Sequence, residues 1–149
     1  MITIRLATPT DFAAIERCAR DAYAKYVERI GREPAPMVAD FAAQIDDGVV
    51  HVAVDADGSL MGFAVFYPQD SAMHLENIAA ATAHQGKGIG KALIAQCEAE
   101  ARRQGFACVE LYTNQKMTEN LSLYPALGYE EIGRGSQDGF DQVFYRKVI

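Results

Sequence analysis

The chain has 149 residues, of which half are hydrophobic and 23% are charged, and its net charge is −6 at pH 7. This length is typical of a single domain, so we predict one domain over residues 1–149. An acidic chain with dispersed lysine and arginine argues against a nucleic-acid partner. The apolar runs are too short to cross a membrane, and we expect a cytoplasmic protein with no membrane partner.

The metal-binding residue types show no metal-site spacing. Three cysteines without a CxxC pair argue against a disulfide framework and a structural zinc site. The three histidines show no pairwise spacing of a metal site either, so we expect no metal cofactor. These residues are Cys18, Cys97, Cys108, His51, His74 and His84.

The N-terminal third predicts a strand followed by two helices. Residues 2–7 alternate in the manner of a strand. Thr8 and Asp11 then form a pair typical of a capping box, which predicts a helix start. Apolar residues follow at helical spacing until Gly31, and a short second helix is expected at about 37–46.

The middle of the chain predicts three strands and a long helix. Residues 49–55 and 59–67 are apolar and β-branched and are separated by a turn, which favours a hairpin. Residues 73–81 predict another strand. A strong amphipathic helix is expected at 88–104, with Ile89, Leu93, Ile94, Cys97 and Ala101 on its buried face.

The last third predicts a strand at 107–113, a short helix at 118–126, and strands at 129–134 and 140–148 joined by a turn at 136–139. The complete order is β-α-α-β-β-β-α-β-α-β-β. This predicts a mixed α/β fold and not a regularly alternating, doubly wound one.

The most distinctive segment lies between a strand and the long helix. Its glycines permit close backbone approach to a ligand, and the first turn of a helix offers free N–H groups with partial positive charge. Such a segment is a natural phosphate-binding site. It consists of Gln85, Gly86, Lys87, Gly88, Ile89, Gly90 and Lys91.

The spacing of this segment excludes two common phosphate motifs. Counted from Gly86, the nucleotide P-loop pattern requires glycine at position 91, where this chain has Lys91. The dinucleotide fingerprint requires GxGxxG after the first strand, whereas this chain has GxGxG after the fourth.

The segment does match the pattern Gln/Arg-x-x-Gly-x-Gly/Ala, and in this respect the sequence resembles the GCN5-related N-acetyltransferase (GNAT) family. Residues 75–80 resemble the family's fourth strand, and Leu123–Tyr129 resembles its late Leu-Tyr-x-x-x-Gly-Phe/Tyr motif. The resemblance covers nearly the whole chain. It implies the GNAT fold and an acetyl-CoA-dependent N-acetyltransferase that forms a ternary complex without a covalent acyl-enzyme.

The resemblance also implies how acetyl-CoA would bind. Backbone groups of Ile78, Ala79 and Ala80 would hold the pantetheine arm, the amides of residues 86–91 would hold the pyrophosphate, and Gln85 would stand at the loop entry.

The tyrosine that protonates the departing thiolate in the family matches Tyr124. The family's pantetheine-binding asparagine is replaced here by Met117. Asn120 or Asn114 would take its place, or backbone contacts would suffice, and we favour Asn120.

Direct transfer needs a neutral amine, but an alkylammonium has a pKa of roughly 10 and is protonated at pH 7. A carboxylate can accept that proton directly or through a water. Glu76 lies on the fourth predicted strand, and alternation places it on the same face as Ile78 and Ala80. We expect Glu76 to be the base. Relatives with a carboxylate on the fifth strand would carry it where this chain has Tyr112, and Glu110 is the weaker candidate.

The resemblance implies that the acceptor site includes the segment Tyr23–Met37, where Tyr23, Tyr26, Glu28, Arg29 and Arg32 combine aromatic rings with charge. The acceptor itself stays open: a polyamine-like or amino-acid-like molecule, an antibiotic, or a peptide N-terminus. A homodimer is possible from the resemblance. The alternative function is a non-catalytic module that senses acyl-CoA.

Overall fold

The computed structural model describes residues 2–149. Seven strands and four α-helices follow one another in the predicted order. They are β1 (Thr3–Leu6), α1 (Phe12–Ile30), α2 (Phe41–Asp46), β2 (Val50–Val54), β3 (Leu60–Gln69), β4 (Ala72–Ala80), α3 (Ile89–Arg103), β5 (Cys108–Asn114), α4 (Thr118–Ala126), β6 (Glu130–Gln137) and β7 (Phe140–Val148).

The strands form one mixed sheet of seven strands in the order β1-β2-β3-β4-β5-β7-β6. Strand β4 pairs with β5 in parallel, whereas β1–β2, β2–β3, β5–β7 and β6–β7 are antiparallel pairs. The predicted mixed α/β fold is therefore confirmed. The chain divides into two compact units, and the prediction of one domain stays a prediction.

The first unit runs from β1 to Phe66 and includes residues 76–96. The predicted capping pair is present, since the backbone N–H of Thr8 donates to the Asp11 carboxylate over 2.8 Å, but it caps a 3-10 turn at Pro9–Asp11, and α1 follows at Phe12. The helix ends at Gly31, whose left-handed φ of 90° closes the last turn. The core of this unit includes the edge-to-face pair Phe41 and Phe63, with ring centroids 5.4 Å apart.

The second helix begins later than predicted. The expected range was 37–46, but α2 begins at Phe41, and Ala35–Met37 forms a separate 3-10 turn. The reason is local, since the Asp40 side chain accepts a hydrogen bond from the backbone N–H of Ala43 over 3.1 Å. This cap fixes the helix start at the residue after Asp40.

The second unit consists of residues 67–75 and 97–149. Its strands β6 and β7 form a hairpin around Asp138 and Gly139, both with positive φ, which is the geometry of a tight two-residue turn. Strand β6 therefore continues to Gln137, beyond the predicted end at residue 134. The helix α4 has the predicted bounds of residues 118–126.

Candidate active site

The glycine-rich segment forms the entrance to α3. Gly86 and Gly88 have φ angles of 79° and 80°, a region that strains residues with a Cβ atom. The first helical hydrogen bond runs from the N–H of Ala92 to the carbonyl of Gly88 over 3.0 Å. The N–H groups of Ile89, Gly90 and Lys91 precede that bond, so they have no acceptor within the helix and can bind an anion.

The surface of this segment is open. Gln85, Lys87 and Lys91 are exposed, and a Cβ placed on Gly86, Gly88 or Gly90 would meet no atom within 4 Å. Positive φ angles, backbone N–H groups without a helical acceptor and two exposed lysine side chains suit the phosphate groups of a nucleotide-type ligand. The segment therefore has the local geometry that the sequence predicted for it.

Gly62 on β3 packs closely against this entrance, and it was not among the predicted site residues. A Cβ at Gly62 would lie 2.7 Å from the carbonyl oxygen of Ala79 and 2.8 Å from a methyl group of Ile89. Only glycine permits this close approach between β3, β4 and the first residue of α3. The signal available from sequence was a single glycine inside an apolar strand.

The C-terminal half of β4 alternates as expected. Glu76, Ile78 and Ala80 are half-buried, whereas Asn77 and Ala79 between them are buried. The expected sharing of one face by Glu76, Ile78 and Ala80 is confirmed by this pattern.

Glu76 receives a hydrogen bond from α2. The side-chain amide of Gln44 donates through Nε2 to Oε2 of Glu76 over 2.6 Å. Since the carboxylate can only accept, this contact fixes the amide orientation and turns Oε1 of Gln44 away from it. That oxygen is buried and has no hydrogen-bond partner among residues 2–149. Sequence reasoning missed Gln44, because it precedes Glu76 by 32 residues.

Tyr23 joins α1 to β4. Its hydroxyl lies 2.7 Å from Oδ1 of Asn77 and 3.0 Å from the carbonyl oxygen of Ile78, and it is placed to donate to either. Asn77 in turn donates to the carbonyl of Pro36 over 2.9 Å. Tyr23 is buried, and its hydroxyl contacts strand β4 at the residues that follow Glu76.

The other predicted acceptor residues, on α1 and just after it, differ in burial. The ring of Tyr26 is buried, and the cationic groups of Lys25 and Arg29 lie 5.1 and 5.2 Å from its centroid. Glu28, Arg29 and Arg32 are exposed. Their role in acceptor binding stays a prediction.

Tyr124 lies on α4 in the second unit and is buried with 4% exposure. Its ring packs at 5.9 Å from that of Tyr129 and at 5.8 Å from that of Tyr145. The Tyr129 hydroxyl donates to the buried Glu98 over 2.9 Å, and Lys147 donates to the same carboxylate over 3.0 Å. Burial, and next the charge of Glu98, raise the pKa of Tyr129 well above its usual value.

Asn120 and Asn114 lie on either side of Met117, which replaces the family's asparagine, and both form hydrogen bonds within the chain. Asn120 donates to Oγ1 of Thr113 over 3.1 Å and to the sulfur of the buried Met117 over 3.7 Å. Asn114 accepts from the backbone N–H of Lys116 over 2.9 Å and so stabilises the turn before α4. The preference for Asn120 as the residue that contacts pantetheine stays a prediction.

The second candidate base, Glu110, is part of a cross-strand ion pair. Arg146 lies directly opposite it in the β5–β7 register, with 2.6 Å between the guanidinium and the carboxylate. Tyr112 follows two residues later on β5. Among residues 2–149, no three His, Cys, Asp or Glu side chains are arranged to hold a metal ion, and no helix is long and apolar enough to cross a membrane.

Comparison with known proteins gives one family match. Residues 13–129 match the model of the acetyltransferase (GNAT) family. Streptothricin acetyltransferase of Streptomyces lavendulae is 32% identical over 92 residues, which cover 60% of this chain and 49% of that protein. The chain spans less than half the length of the curated relatives it matches, 29% and 49%.

Solved structures share the fold along the whole chain. The PaiA N-acetyltransferase of Thermoplasma acidophilum, in complex with coenzyme A, is 18% identical with a TM-score of 0.75, over 100% of this chain and 99% of that one. The yncA protein of Salmonella typhimurium, with its cofactor acetyl-CoA, is 20% identical with a TM-score of 0.74, over 99% and 94%.

Proposed function

The chain belongs to the GNAT acetyltransferase family, and from that premise we propose that it transfers the acetyl group of acetyl-CoA directly to a primary amine. Acetyl-CoA supplies an activated thioester carbonyl. The amine nitrogen forms the new bond to the acetyl carbon, the carbon–sulfur bond breaks, Glu76 takes the proton of the amine, and Tyr124 gives a proton to the departing sulfur.

The observation that carries this proposal is the glycine-rich entrance to α3. Gly86 and Gly88 have positive φ angles, and the amides that follow precede the first helical hydrogen bond. Relatives with this fold have been solved with coenzyme A and with acetyl-CoA. We assign the pyrophosphate to the amides of residues 86–91, with Gln85, Lys87 and Lys91 at the rim.

The proposed contacts of the pantetheine arm follow from the same assignment. Backbone groups of Ile78, Ala79 and Ala80 would hold the arm, and their small side chains at positions 79 and 80 suit a close approach. The carbonyl of Ile78 is within reach of the Tyr23 hydroxyl, so the remaining backbone groups of this segment are the better partners. Asn120 would add its side-chain carbonyl.

Glu76 is favoured as the base by the character of its partner. Its carboxylate is held by a neutral amide at 2.6 Å, whereas Glu110 is held by the guanidinium of Arg146. The hydrogen bond from Gln44 orients the Glu76 carboxylate, and this neutral donor opposes protonation less than the guanidinium at Glu110 does.

Tyr124 is favoured as the acid by its chemistry and its packing. A phenol is neutral at pH 7 and can give a proton to a thiolate, which leaves more easily as a thiol. The rings of Tyr129 and Tyr145 restrict its orientation, and Tyr129 is itself held by Glu98. A fixed hydroxyl needs less reorganisation during the reaction.

The test is release of coenzyme A from acetyl-CoA in the presence of a broad panel of amines. We expect release that depends on the amine, and a strong loss of turnover in Glu76→Gln. In that variant the rate should rise with pH, because the amine must lose its proton to solvent. Glu110→Gln is the matched control and should keep the wild-type pH profile.

Two outcomes would contradict the proposal. Binding of acetyl-CoA without amine-dependent release, over the whole panel, would favour an acyl-CoA sensor. In thermal unfolding, acetyl-CoA at 100 times its dissociation constant should add about 2.7 kcal/mol to the stability. Stabilisation by ATP and not by acetyl-CoA would refute the assignment of the phosphate loop.

A further inference from the structure

A buried carboxylate lies on α3 among apolar side chains. Glu98 is 7% exposed, and its neighbours at helical spacing, Ile94 and Ala101, are buried and apolar. A charge in such surroundings is costly unless it is paired and hydrogen-bonded. The hydroxyl of Tyr129 donates to Oε2 of Glu98 over 2.9 Å, and the ammonium of Lys147 donates to Oε1 over 3.0 Å. Both carboxylate oxygens therefore have a donor, and all of these side chains from position 98 onward belong to the second unit.

The end of α4 joins Tyr129 to Tyr124. The N–H of Tyr129 donates to the carbonyl of Tyr124 over 3.0 Å, and the N–H of Gly128 donates to the carbonyl of Pro125 over 3.0 Å. Gly128 has a left-handed φ of 95°, so these bonds form a Schellman motif. A side-chain contact commonly accompanies this motif, and here the rings of Tyr124 and Tyr129 lie 5.9 Å apart in an edge-to-face arrangement. Tyr124 is therefore tied to Tyr129 through the backbone and through the ring.

Glu98 holds the Tyr129 ring at the end that points away from the backbone. A hydrogen bond to an ionised acceptor is stronger than one between neutral groups. Burial, and next the charge of Glu98, raise the pKa of Tyr129, so its hydroxyl stays neutral and keeps its proton to donate. Lys147 closes the arrangement, since its Cε would lie 3.3 Å from a Cβ placed on Gly128. The Tyr129 ring is thus fixed by hydrogen bonds at both of its ends.

We infer that Glu98 is a positioning residue, which acts through Tyr129 and holds Tyr124 in place to protonate the departing sulfur. The inference rests on the proposed function, in which Tyr124 gives that proton as the carbon–sulfur bond breaks. Proton transfer requires a donor at hydrogen-bond distance, and misplacement by about 1 Å can cost roughly 100-fold in rate. An apolar side chain at position 98 would avoid burying a charge, but it would leave the Tyr129 hydroxyl without this acceptor. The carboxylate therefore provides an orientation that an apolar residue would not.

The test removes the hydrogen bond from either end. Tyr129→Phe keeps the ring and removes the hydroxyl, whereas Glu98→Met keeps the length of the side chain and removes both oxygens. We expect each variant to lower kcat by about tenfold or more, with KM for acetyl-CoA unchanged. The double variant should lose no more than either single one, because all three lack the same bond.

The double variant also protects the test against a failure to fold. It replaces both partners of the hydrogen bond by apolar groups, which is close to neutral for stability. Lys147 then lacks its carboxylate, but its side chain is 26% exposed and can turn to solvent. Thermal unfolding should therefore show a folded double variant, in which the loss of kcat can be measured.

The selenium analogue of acetyl-CoA separates a misplaced acid from a general structural defect. A selenol is a stronger acid than a thiol, so selenium departs as an anion with little help from a proton donor. Formation of the acetylated amine is measured for both esters, with the amine that gives the fastest release in the panel. With the selenium analogue, Tyr129→Phe, Glu98→Met and Tyr124→Phe should each lose less than about threefold in kcat.

Glu100→Met is the matched control for Glu98→Met. Glu100 lies on the same helix, but its ion pair with Arg103 is at the surface. We expect wild-type kcat with both esters, because the same substitution is made without removing a partner of Tyr129.

Wild-type kcat with acetyl-CoA in the folded double variant would overturn the inference. Losses of equal size with both esters in Tyr129→Phe and Glu98→Met would also overturn it, if Tyr124→Phe loses activity with acetyl-CoA alone. Losses of equal size with both esters in Tyr124→Phe would instead refute Tyr124 as the acid of the proposed function, so the two failures are distinguishable.

Discussion

The hydrogen bond from Gln44 to Glu76 gives the sharpest prediction about catalysis. Gln44→Met keeps the length of the side chain and removes the donor. A hydrogen bond to a charged group contributes about 1.5–3 kcal/mol, which corresponds to roughly 10- to 150-fold in rate if the bond acts in the transition state. We therefore expect kcat to fall by about one to two orders of magnitude, with KM for acetyl-CoA unchanged.

Stability should respond differently from activity in the same variant. Oε1 of Gln44 is buried without a hydrogen-bond partner among residues 2–149, and methionine removes this unsatisfied oxygen. The half-buried Glu76 carboxylate loses this donor, which is unfavourable, whereas loss of the unsatisfied oxygen is favourable, so the two effects oppose each other. The thermal unfolding of Gln44→Met should therefore stay near that of the wild type while turnover falls.

The pH–rate profile separates a positioning role from a structural one. Gln44→Glu places a second carboxylate against Glu76, which should move the acidic limb of the kcat profile to higher pH by about one unit or more. Gln44→Lys should move the same limb to lower pH. A residue that only packs would lower the rate without moving the limb.

Gln104→Met is the matched control. Gln104 also donates from Nε2 to a glutamate, Glu100, over 2.9 Å, but this pair is exposed on the surface at the end of α3. We expect no change of rate or profile. If Gln44→Met behaves like this control, or if the limb stays fixed in Gln44→Glu, the positioning role of Gln44 is refuted.

Three further predictions concern the cofactor loop, the acid and acid stability. Gly88→Ala forces a Cβ into a φ of 80°, which costs about 1–2 kcal/mol, and calorimetry should show weaker acetyl-CoA binding with little change in kcat. Tyr124→Phe should lower kcat by about two to four orders of magnitude in stopped assays, and a wild-type rate would exclude it as the acid. The Arg5 guanidinium lowers the pKa of Asp11, so this contribution to folding is complete above about pH 4 and is lost as pH falls through the lowered value. Arg5→Leu should flatten that part of the stability curve in urea titrations, and an unchanged curve would contradict the role of the pair.

The sequence predicted the features that depend on residues close in the chain. The Thr8–Asp11 cap, the end of α1 at Gly31 and the buried face of α3 follow from local spacing, and the structure confirms them. The predicted start of α2 was wrong. The 3-10 turn at Ala35–Met37 and the α-helix begin within a few residues of each other, and the cap of Asp40 places the start of the α-helix at the later position. A cap of this kind is decided by side-chain geometry that periodicity does not show.

The environment of each candidate site residue could not be predicted in the same way. Glu76 and its donor are 32 residues apart, Tyr23 and Asn77 are 54 apart, and both contacts depend on how α1 and α2 pack on β4. The register of β6 against β7 shifts between Glu131 and Gly133, an irregularity that strand alternation in the sequence does not show. The sequence indicates which residues can take part in catalysis or binding, but the side chains that contact them are determined by tertiary packing.

The two candidate bases differ in a way that bears on their roles. Glu110 and Arg146 face one another in the strand register, so their ion pair is an ordinary cross-strand contact that stabilises the sheet. The contact of Glu76 with Gln44 leaves Oε1 of Gln44 buried and unsatisfied, at a cost of about 1–3 kcal/mol. Local costs of this kind persist mainly where function requires them. We therefore expect the orientation of Glu76, rather than that of Glu110, to matter to the proposed reaction.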